Sequence, residues 1–548
     1  MPATSAKYAA EADVAAVDGS SISRRRFFRL ALSAAGAIAG LAAGETVLAQ
    51  LMGSSPFSFS SYRPPRINPA GCAPRVPSAH LPDRFLWGTS TAAYQVEPRL
   101  HYTDWAQWLK THGSGDNPDL GPDFVHLNFD GTIGGYFREY LDAARAMGQT
   151  SFRLSLDWSR LQPEKDGPYD LNALKMYHTV LDACLERGLL PVVTLFHYVL
   201  PLWAHNPAKP RSSLGGWAGP KTVPPERVPI IDYFVRFSSD MVAEYGAKIG
   251  LLIPFNEPSG AALAEYVAGN FPGPGKLNFE AARRAQIAMA HAHAAIFDSV
   301  KEQNRLVPIG VAQGVRIFEP MFGTPGNRDA AAKLSYVTNW QFIDAVTAGT
   351  ADWNLDGAAD VSQAPNLAGR LDFIGINYFT RTNVLSVLPP LPLAQRHRGL
   401  PDEAIPGLKP EDPTEMGWRV EPEGLYEALL QAWSRYRLPL FVTENGIAER
   451  PPDTRRPKYI RDHVAQIERA KWMGADVRGY FYWSLMDNFE WDRGFKPPFG
   501  LLTILPDHPG QFRWTRGAFA YERIIRNHGA HGSLSDPLPK HAQAPDNC

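Results

Sequence analysis

The sequence predicts an α/β protein, a single (β/α)8 TIM barrel with long loops on the βα side. Three observations point there. Eight short apolar runs alternate with helical patterns across most of the 548 residues, without a repeat of fixed period. Strict alternation of this kind argues for a parallel sheet, and eight units argue for its closure into a barrel. Two of the runs, Leu440-Phe441-Val442-Thr443-Glu444-Asn445-Gly446 and Ile253-Pro254-Phe255-Asn256-Glu257-Pro258, end in a glutamate followed at once by a turn, which is how a barrel presents a reactive acid at its mouth. The alternative, an open doubly wound sheet, wants a Gly-rich phosphate loop after its first strand, and residues 87–95 offer none.

The chain begins with an address rather than fold. Ser23-Arg24-Arg25-Arg26-Phe27-Phe28-Arg29 precedes an apolar run at 30–43 rich in Ala and Gly, the pattern of a twin-arginine export signal. The run is too short and too weakly apolar for a membrane span, and Val47-Leu48-Ala49 offers small residues for cleavage before Gln50. An uncleaved anchor is the competing reading. Either places the body of the protein in the periplasm or outside the cell. The segments expected are thus a signal at 1–49, a Pro/Ser-rich linker or arm at 50–80, the barrel at 81–530 and a tail at 531–548.

Within the barrel a short strand at 85–88 runs into Thr89-Ser90-Thr91-Ala92-Ala93-Tyr94-Gln95-Val96-Glu97, and residues 100–135 read as a polar loop. A helix at 136–147 leads to a strand at 150–156, and a helix at 171–187 to a buried strand at 190–196 that ends at His197. A helix at 228–245 precedes the strand at 251–255, which delivers Asn256 and Glu257. The helix at 279–303 precedes a strand at 307–312, and a helix near 339–347 precedes a strand at 371–376 that delivers Asn377 and Tyr378. After a long Pro-rich excursion at 381–415, a helix at 424–436 leads to the strand of Glu444, and a helix at 459–473 to a strand at 477–482 that delivers Trp483.

Composition narrows the function. A formal net charge of -1 gives no electrostatic case for nucleic acid or an anionic membrane surface. Fourteen Trp is rich; most are expected in the core, and an exposed indole face is a platform for the C–H face of a sugar. Three Cys do not make a disulfide scaffold. Cys184 falls in a helical pattern as a buried small hydrophobe, whereas Cys72 and Cys548 are free to pair in an oxidising compartment. The His residues show no ligand spacing, so no metal and no cofactor are expected. Oligomeric state is not legible.

Taken singly, each site residue has an ordinary explanation: a solvated loop Glu before Asn-Gly, a backbone-capping Asn256, a satisfied core histidine at 197. Together the motifs resemble glycoside hydrolase family 1, the β-glucosidase family, from about residue 81 to 528. They are Phe85-Leu86-Trp87-Gly88, Tyr94-Gln95-Val96-Glu97, Phe152-Arg153-Leu154-Ser155 with Trp158-Ser159-Arg160, Phe255-Asn256-Glu257-Pro258, Gly375-Ile376-Asn377-Tyr378, Thr443-Glu444-Asn445-Gly446 and Trp483-Ser484-Leu485-Met486-Asp487-Asn488-Phe489-Glu490-Trp491. The resemblance implies that Glu444 is the nucleophile and Glu257 the acid/base. It implies that Gln95, His197, Asn256, Glu490 and Trp491 bind sugar hydroxyls over a floor formed by Trp483. Arg153 and Tyr378 are implied to hold and charge-stabilise the nucleophile, with Asn377 beside them.

Retaining cleavage needs two carboxyls about 5–5.5 Å apart in opposite protonation states. Arg153 and the Tyr378 phenol are expected to keep Glu444 ionised. Glu257 has to enter the reaction protonated, favoured by the apolar setting beside Phe255 and by the charge of Glu444. Glu490 facing the 4- and 6-hydroxyls favours a neutral hexose over a 6-phosphate, despite Lys496 nearby. The sequence departs from the family pattern at Pro98, Tyr198 (commonly Trp), Leu252, Pro254, the Gln313-Gly314 neighbourhood and an unrecognisable segment at 120–135, all around the rim and leaving-group side. The function expected is a retaining, exo-acting β-glycosidase, foremost a β-glucosidase acting on a small glycoside. The alternatives are a transglycosylase on the same site and a non-catalytic sugar-binding barrel, which should have lost a carboxylate.

Overall fold

The computed structural model describes residues 62–65, 81–112, 131 and 135–534, apart from positions 274, 276, 305, 362–366, 387–398, 402–410, 506–507 and 509. The expected export signal, nearly all of the linker and tail, Cys72, Cys548, the segment at 120–135 save residues 131 and 135, and much of the Pro-rich excursion lie outside the described residues. Cys184 is buried with a free thiol. Among the described residues no helix is long and apolar enough to cross a membrane.

Eight parallel strands build the barrel: β1 Leu86–Ser90, β2 Ser151–Ser155, β3 Leu190–Phe196, β4 Leu251–Phe255, β5 Gly310–Gly314, β6 Phe373–Asn377, β7 Leu440–Asn445 and β8 Val477–Trp483. Their hydrogen-bonded order is β4-β3-β2-β1-β8-β7-β6-β5. Parallel bridges at Leu252–Ile309 and Asn256–Ala312 join the two ends. The amide of Glu257 seals the rim of that seam by donating to the Ala312 carbonyl at 2.6 Å. β3 and β4 have the limits expected from their apolar runs. β5 starts later than expected, because Pro308 has no N–H to give a ladder.

Helices fall between the strands as the alternation requires, and polar side chains fix several starts. Asp170 caps Leu171–Glu186, Asn278 caps Phe279–Gln303 and Thr515 caps Arg516–Arg526, each contributing about 1 kcal/mol. Arg516–Arg526, which buries Ala518, Tyr521, Ile524 and Ile525, was not anticipated. Neither was Asp104–His112, which occupies part of the expected loop. Its buried Trp105, Trp108 and Leu109 repeat at helical spacing, a signal masked by the polar residues around it. A small sheet outside the barrel pairs Ile317–Pro320 with Arg381–Ser386, and the latter with Gly399–Pro401.

The barrel interior is a packed plug of Leu86, Val192, Leu251, Ile253, Ala312, Phe373, Phe441 and Phe481. Each buried Phe contributes about 2–3 kcal/mol. Glycines make room for the rings: a Cβ on Gly88 would lie 2.6 Å from Phe481, and one on Gly310 would lie 2.4 Å from Phe373. With the interior filled, ligand-facing side chains can gather only at the strands' C-terminal ends.

Candidate active site

Successive side chains on an extended chain point to opposite faces. Two consecutive residues can both face the barrel mouth only where the backbone breaks that alternation. Among the described residues the chain does this three times, at His197-Tyr198, Asn256-Glu257 and Glu490-Trp491. In each pair the second residue adopts a left-handed backbone, with φ of +69° at Tyr198, +45° at Glu257 and +47° at Trp491. Such conformations cost about 1–3 kcal/mol each and persist only where the surroundings impose them.

Asn377-Tyr378 lacks the device, and the expectation for Tyr378 fails for that reason. Asn377 faces the mouth, so Tyr378 points outward, where its buried phenol donates to the Glu421 carbonyl at 2.7 Å. It does not hold Glu444. The next residue on the inner side is Phe379, packed with Trp483, Trp418 and Phe499, and it has no hydroxyl to offer.

The other expected site residues form one connected set. Arg153, fully buried on β2, donates from Nη1 to Glu444 Oε1 at 2.5 Å, from Nη2 to Asn256 Oδ1 at 2.7 Å and from Nε to Thr194 at 3.1 Å. Asn377 Nδ2 donates to Asn256 Oδ1 at 3.1 Å and to Glu257 Oε1 at 2.9 Å. The amide of Asn256 is thereby oriented, because two donors claim its oxygen, and its Nδ2 lies 3.2 Å from His197 Nε2. Gln95 Nε2 donates to Asn488 Oδ1, to the Phe489 carbonyl and, at 3.4 Å, to Glu490 Oε2. Trp483 also hydrogen-bonds Glu490 through its side chain. The indoles of Trp483 and Trp491 each stand 6.0 Å from the His197 ring, nearly parallel to it.

Two consequences follow for the pocket's polarity. Burial, reinforced by Arg153, holds His197 far below the usual imidazole range. The ring is therefore neutral; its Nε2 accepts from Asn256, and the proton sits on Nδ1. That Nδ1 is buried with no partner among the described residues, and so is Gln95 Oε1. A buried donor and a buried acceptor thus stand unpaired among the described residues, and the Gln95 amide also reaches the Glu490 carboxyl. Sugar hydroxyls, each donor and acceptor at once, satisfy all three.

Burial is the largest influence on the Glu444 carboxyl and raises it; the charge of Glu257 adds to the rise, while Arg153 opposes it. The expectation for Glu444 is corrected only in its phenol: Arg153 favours the charged form as expected, Tyr378 does not reach it, and burial works against the guanidinium. Glu490 is pushed from 4.5 up to about 8, first by burial and then by Glu444 and Asp492. A carboxyl that keeps its proton in the fold but loses it on unfolding stabilises the fold fully below pH 4.5. That contribution fades as pH rises through about 8. Glu490→Gln is therefore expected to gain stability relative to the parent between pH 5 and 8, on the order of a few kcal/mol. Thermal melts across that range check it; parallel melting curves for the two proteins would exclude the effect.

Three further contributors were given no role by the sequence. Thr443 Oγ1 donates to Asn377 Oδ1 at 2.7 Å and so orients it. Gly314 leaves space, since a Cβ there would lie 2.8 Å from the Glu257 carboxyl. Tyr198 donates from its phenol to Glu257 Oε2 at 2.7 Å. Its only signal in the sequence was a departure from the family's usual residue.

The family model for glycosyl hydrolase family 1 matches residues 77–530. A β-galactosidase of Saccharolobus solfataricus is 31% identical, with 84% of this chain and 96% of that protein covered. A bifunctional β-D-glucosidase/β-D-fucosidase of Bifidobacterium breve is 30% identical, with 82% and 99% covered. Among solved structures, the family 1 β-glucosidase of Thermotoga maritima superposes with a TM-score of 0.69 at 25% identity, covering 83% of this chain and 99% of that one. With the buried carboxyls and unpaired sugar-facing groups at the mouth of an eight-stranded barrel, these likenesses establish that the chain belongs to glycosyl hydrolase family 1 and is a retaining β-glycosidase.

Proposed function

We propose that this hydrolase is an exported, exo-acting β-glucosidase that removes one terminal, non-reducing, neutral hexose, with Glu444 as nucleophile and Glu257 as acid/base. The unpaired pair His197 Nδ1 and Gln95 Oε1 beside Glu490 carries the reading. Together they offer a donor, an acceptor and a carboxyl to adjacent hydroxyls of a single ring over Trp483. A buried carboxyl at that place supplies no positive charge to a sugar 6-phosphate, and burying such a charge unpaired is costly. Asn256, held between Arg153 and Asn377, suits the 2-hydroxyl, where hydrogen bonds strengthen as oxocarbenium character develops. The names of the β-galactosidase and glucosidase/fucosidase relatives support glucose, galactose and fucose configurations. The Arg24-Arg25 leader supports export.

The test is cleavage of aryl β-glucoside, β-galactoside, β-fucoside, β-glucuronide and 6-phospho-β-glucoside by the chain starting after residue 49, with the full chain's recovery outside the cytoplasm checking export. Turnover is expected on the first three. Preference for the glucuronide or the phosphate would overturn the role given to Glu490.

A further inference from the structure

The Tyr378 phenol does not hold the nucleophile, but a different one, that of Tyr198, lies against the other carboxyl. Tyr198, at the exit of β3, donates to Glu257 Oε2 at 2.7 Å, while Asn377 donates to Oε1 at 2.9 Å. The Tyr198 ring is wedged between Trp491 and Phe271, each 5.2 Å away, and His197 at 5.1 Å. Its carbonyl accepts from Trp105 Nε1 at 3.0 Å. A residue held in a left-handed backbone and clamped on three sides presents its hydroxyl in one direction only.

We propose that Tyr198 is a positioning residue for the acid/base: its phenol pins Oε2 of Glu257 and leaves Oε1 to carry, deliver and recover the catalytic proton. This rests on the reading of Glu257 as acid/base. Oε1 is the oxygen on the Asn377 side, next to Asn256 and the sugar-facing network, whereas Oε2 is turned to the aromatic rim. In the first half-reaction Oε1–H passes its proton to the glycosidic oxygen. The C–O electron pair leaves with that oxygen, and Glu444 bonds to the anomeric carbon. Glu257 is then an anion, and the Tyr198 bond, now to a charge, strengthens. In the second, Oε1 takes a proton from water as the water oxygen attacks and Glu444 departs. Tyr198 keeps its own proton throughout, because burial and the neighbouring carboxyls hold its phenol far above the usual range. The groups facing Glu257 are Tyr198 from β3, Asn377 from β6, Glu444 from β7 and, across Asn256, Arg153 from β2. Gly314 on β5 contributes no charge.

The experiment compares Tyr198→Phe with the parent on a leaving-group series, from dinitrophenyl to phenyl and alkyl β-glucosides, with the pH dependence of kcat/KM. Dinitrophenolate departs without a proton, and an alkoxide does not. The loss in kcat/KM is expected to be about ten-fold or more larger for alkyl than for dinitrophenyl glycosides. The alkaline limb should move to higher pH, because the ionised form of Glu257 has lost a donor. An equal loss on every substrate with an unmoved limb would reduce Tyr198 to a shaping residue and overturn the proposal. Tyr198→Met, which keeps apolar bulk and has no donor, serves the same comparison should the Phe variant fold poorly. Glu257→Gln separates the two levels: if it shows no leaving-group dependence, the acid/base reading itself fails, whereas a dependence there but not in Tyr198→Phe sinks only the role of Tyr198.

Discussion

Glu444→Gln lowers kcat on aryl β-glycosides by roughly ten-thousand-fold or more while leaving the fold intact. Glutamine has the shape of glutamate and can still accept from Arg153, so the buried guanidinium keeps a hydrogen bond where Glu444 Oε1 now receives it at 2.5 Å. What disappears is the anionic oxygen that has to attack the anomeric carbon, and no neighbouring group replaces it. Loss of the carboxylate beside a buried cation costs stability, yet it also relieves the desolvation that raises Glu444 in the parent. The net change in melting temperature should therefore be small beside the loss of rate. A 2-deoxy-2-fluoro-β-glucoside supplies the positive form of the test, since its slow second step should trap the sugar on the peptide that contains Glu444. Residual turnover within about a hundred-fold of the parent, or label on another peptide, would remove Glu444 from the reaction.

Glu257→Ala should show a different signature. Cleavage of alkyl and phenyl glycosides falls by about a thousand-fold, in the range expected for general acid catalysis, and the first step on dinitrophenyl glycosides falls far less. Hydrolysis of the intermediate slows as well, because the same carboxyl serves as base. Azide, an anion that needs no base and fits the volume left by the side chain, should restore turnover and give the β-glycosyl azide. Retention of configuration in that product reports the two inversions of a double displacement. A failure of azide to rescue, with all leaving groups equally slowed, would assign the proton transfer elsewhere.

The barrel was legible in the sequence because its strands are buried on both faces, and runs such as 190–196 and 251–255 therefore read as unbroken apolar segments. The carboxyls, Arg153, Asn256 and Asn377 were legible because each sits on or beside such a run. What escaped was local geometry. Tyr378 was paired with Glu444 although strict alternation after Asn377 already sends it outward, a conclusion available from period two alone. Tyr198 was marked as a departure, but its bond to Glu257 depends on a left-handed backbone that no residue type announced, since neither Tyr nor Glu favours it. The helix Asp104–His112 and the sheet outside the barrel lie among loops, where short amphipathic stretches carry weak signals.

The left-handed residues that let neighbouring side chains share the mouth also restrict what this enzyme can become. At Tyr198, Glu257 and Trp491 a β-branched side chain meets its own backbone at positive φ, so Val, Ile and Thr are closed to these positions whatever their fit to a substrate. Asn, Asp and Gly are the replacements that the backbone accepts most readily. A search for new aglycone preferences at Tyr198 thus runs over a shortened alphabet, and changes of shape at the rim are more accessible through Phe271 and Trp418, whose backbones carry no such constraint.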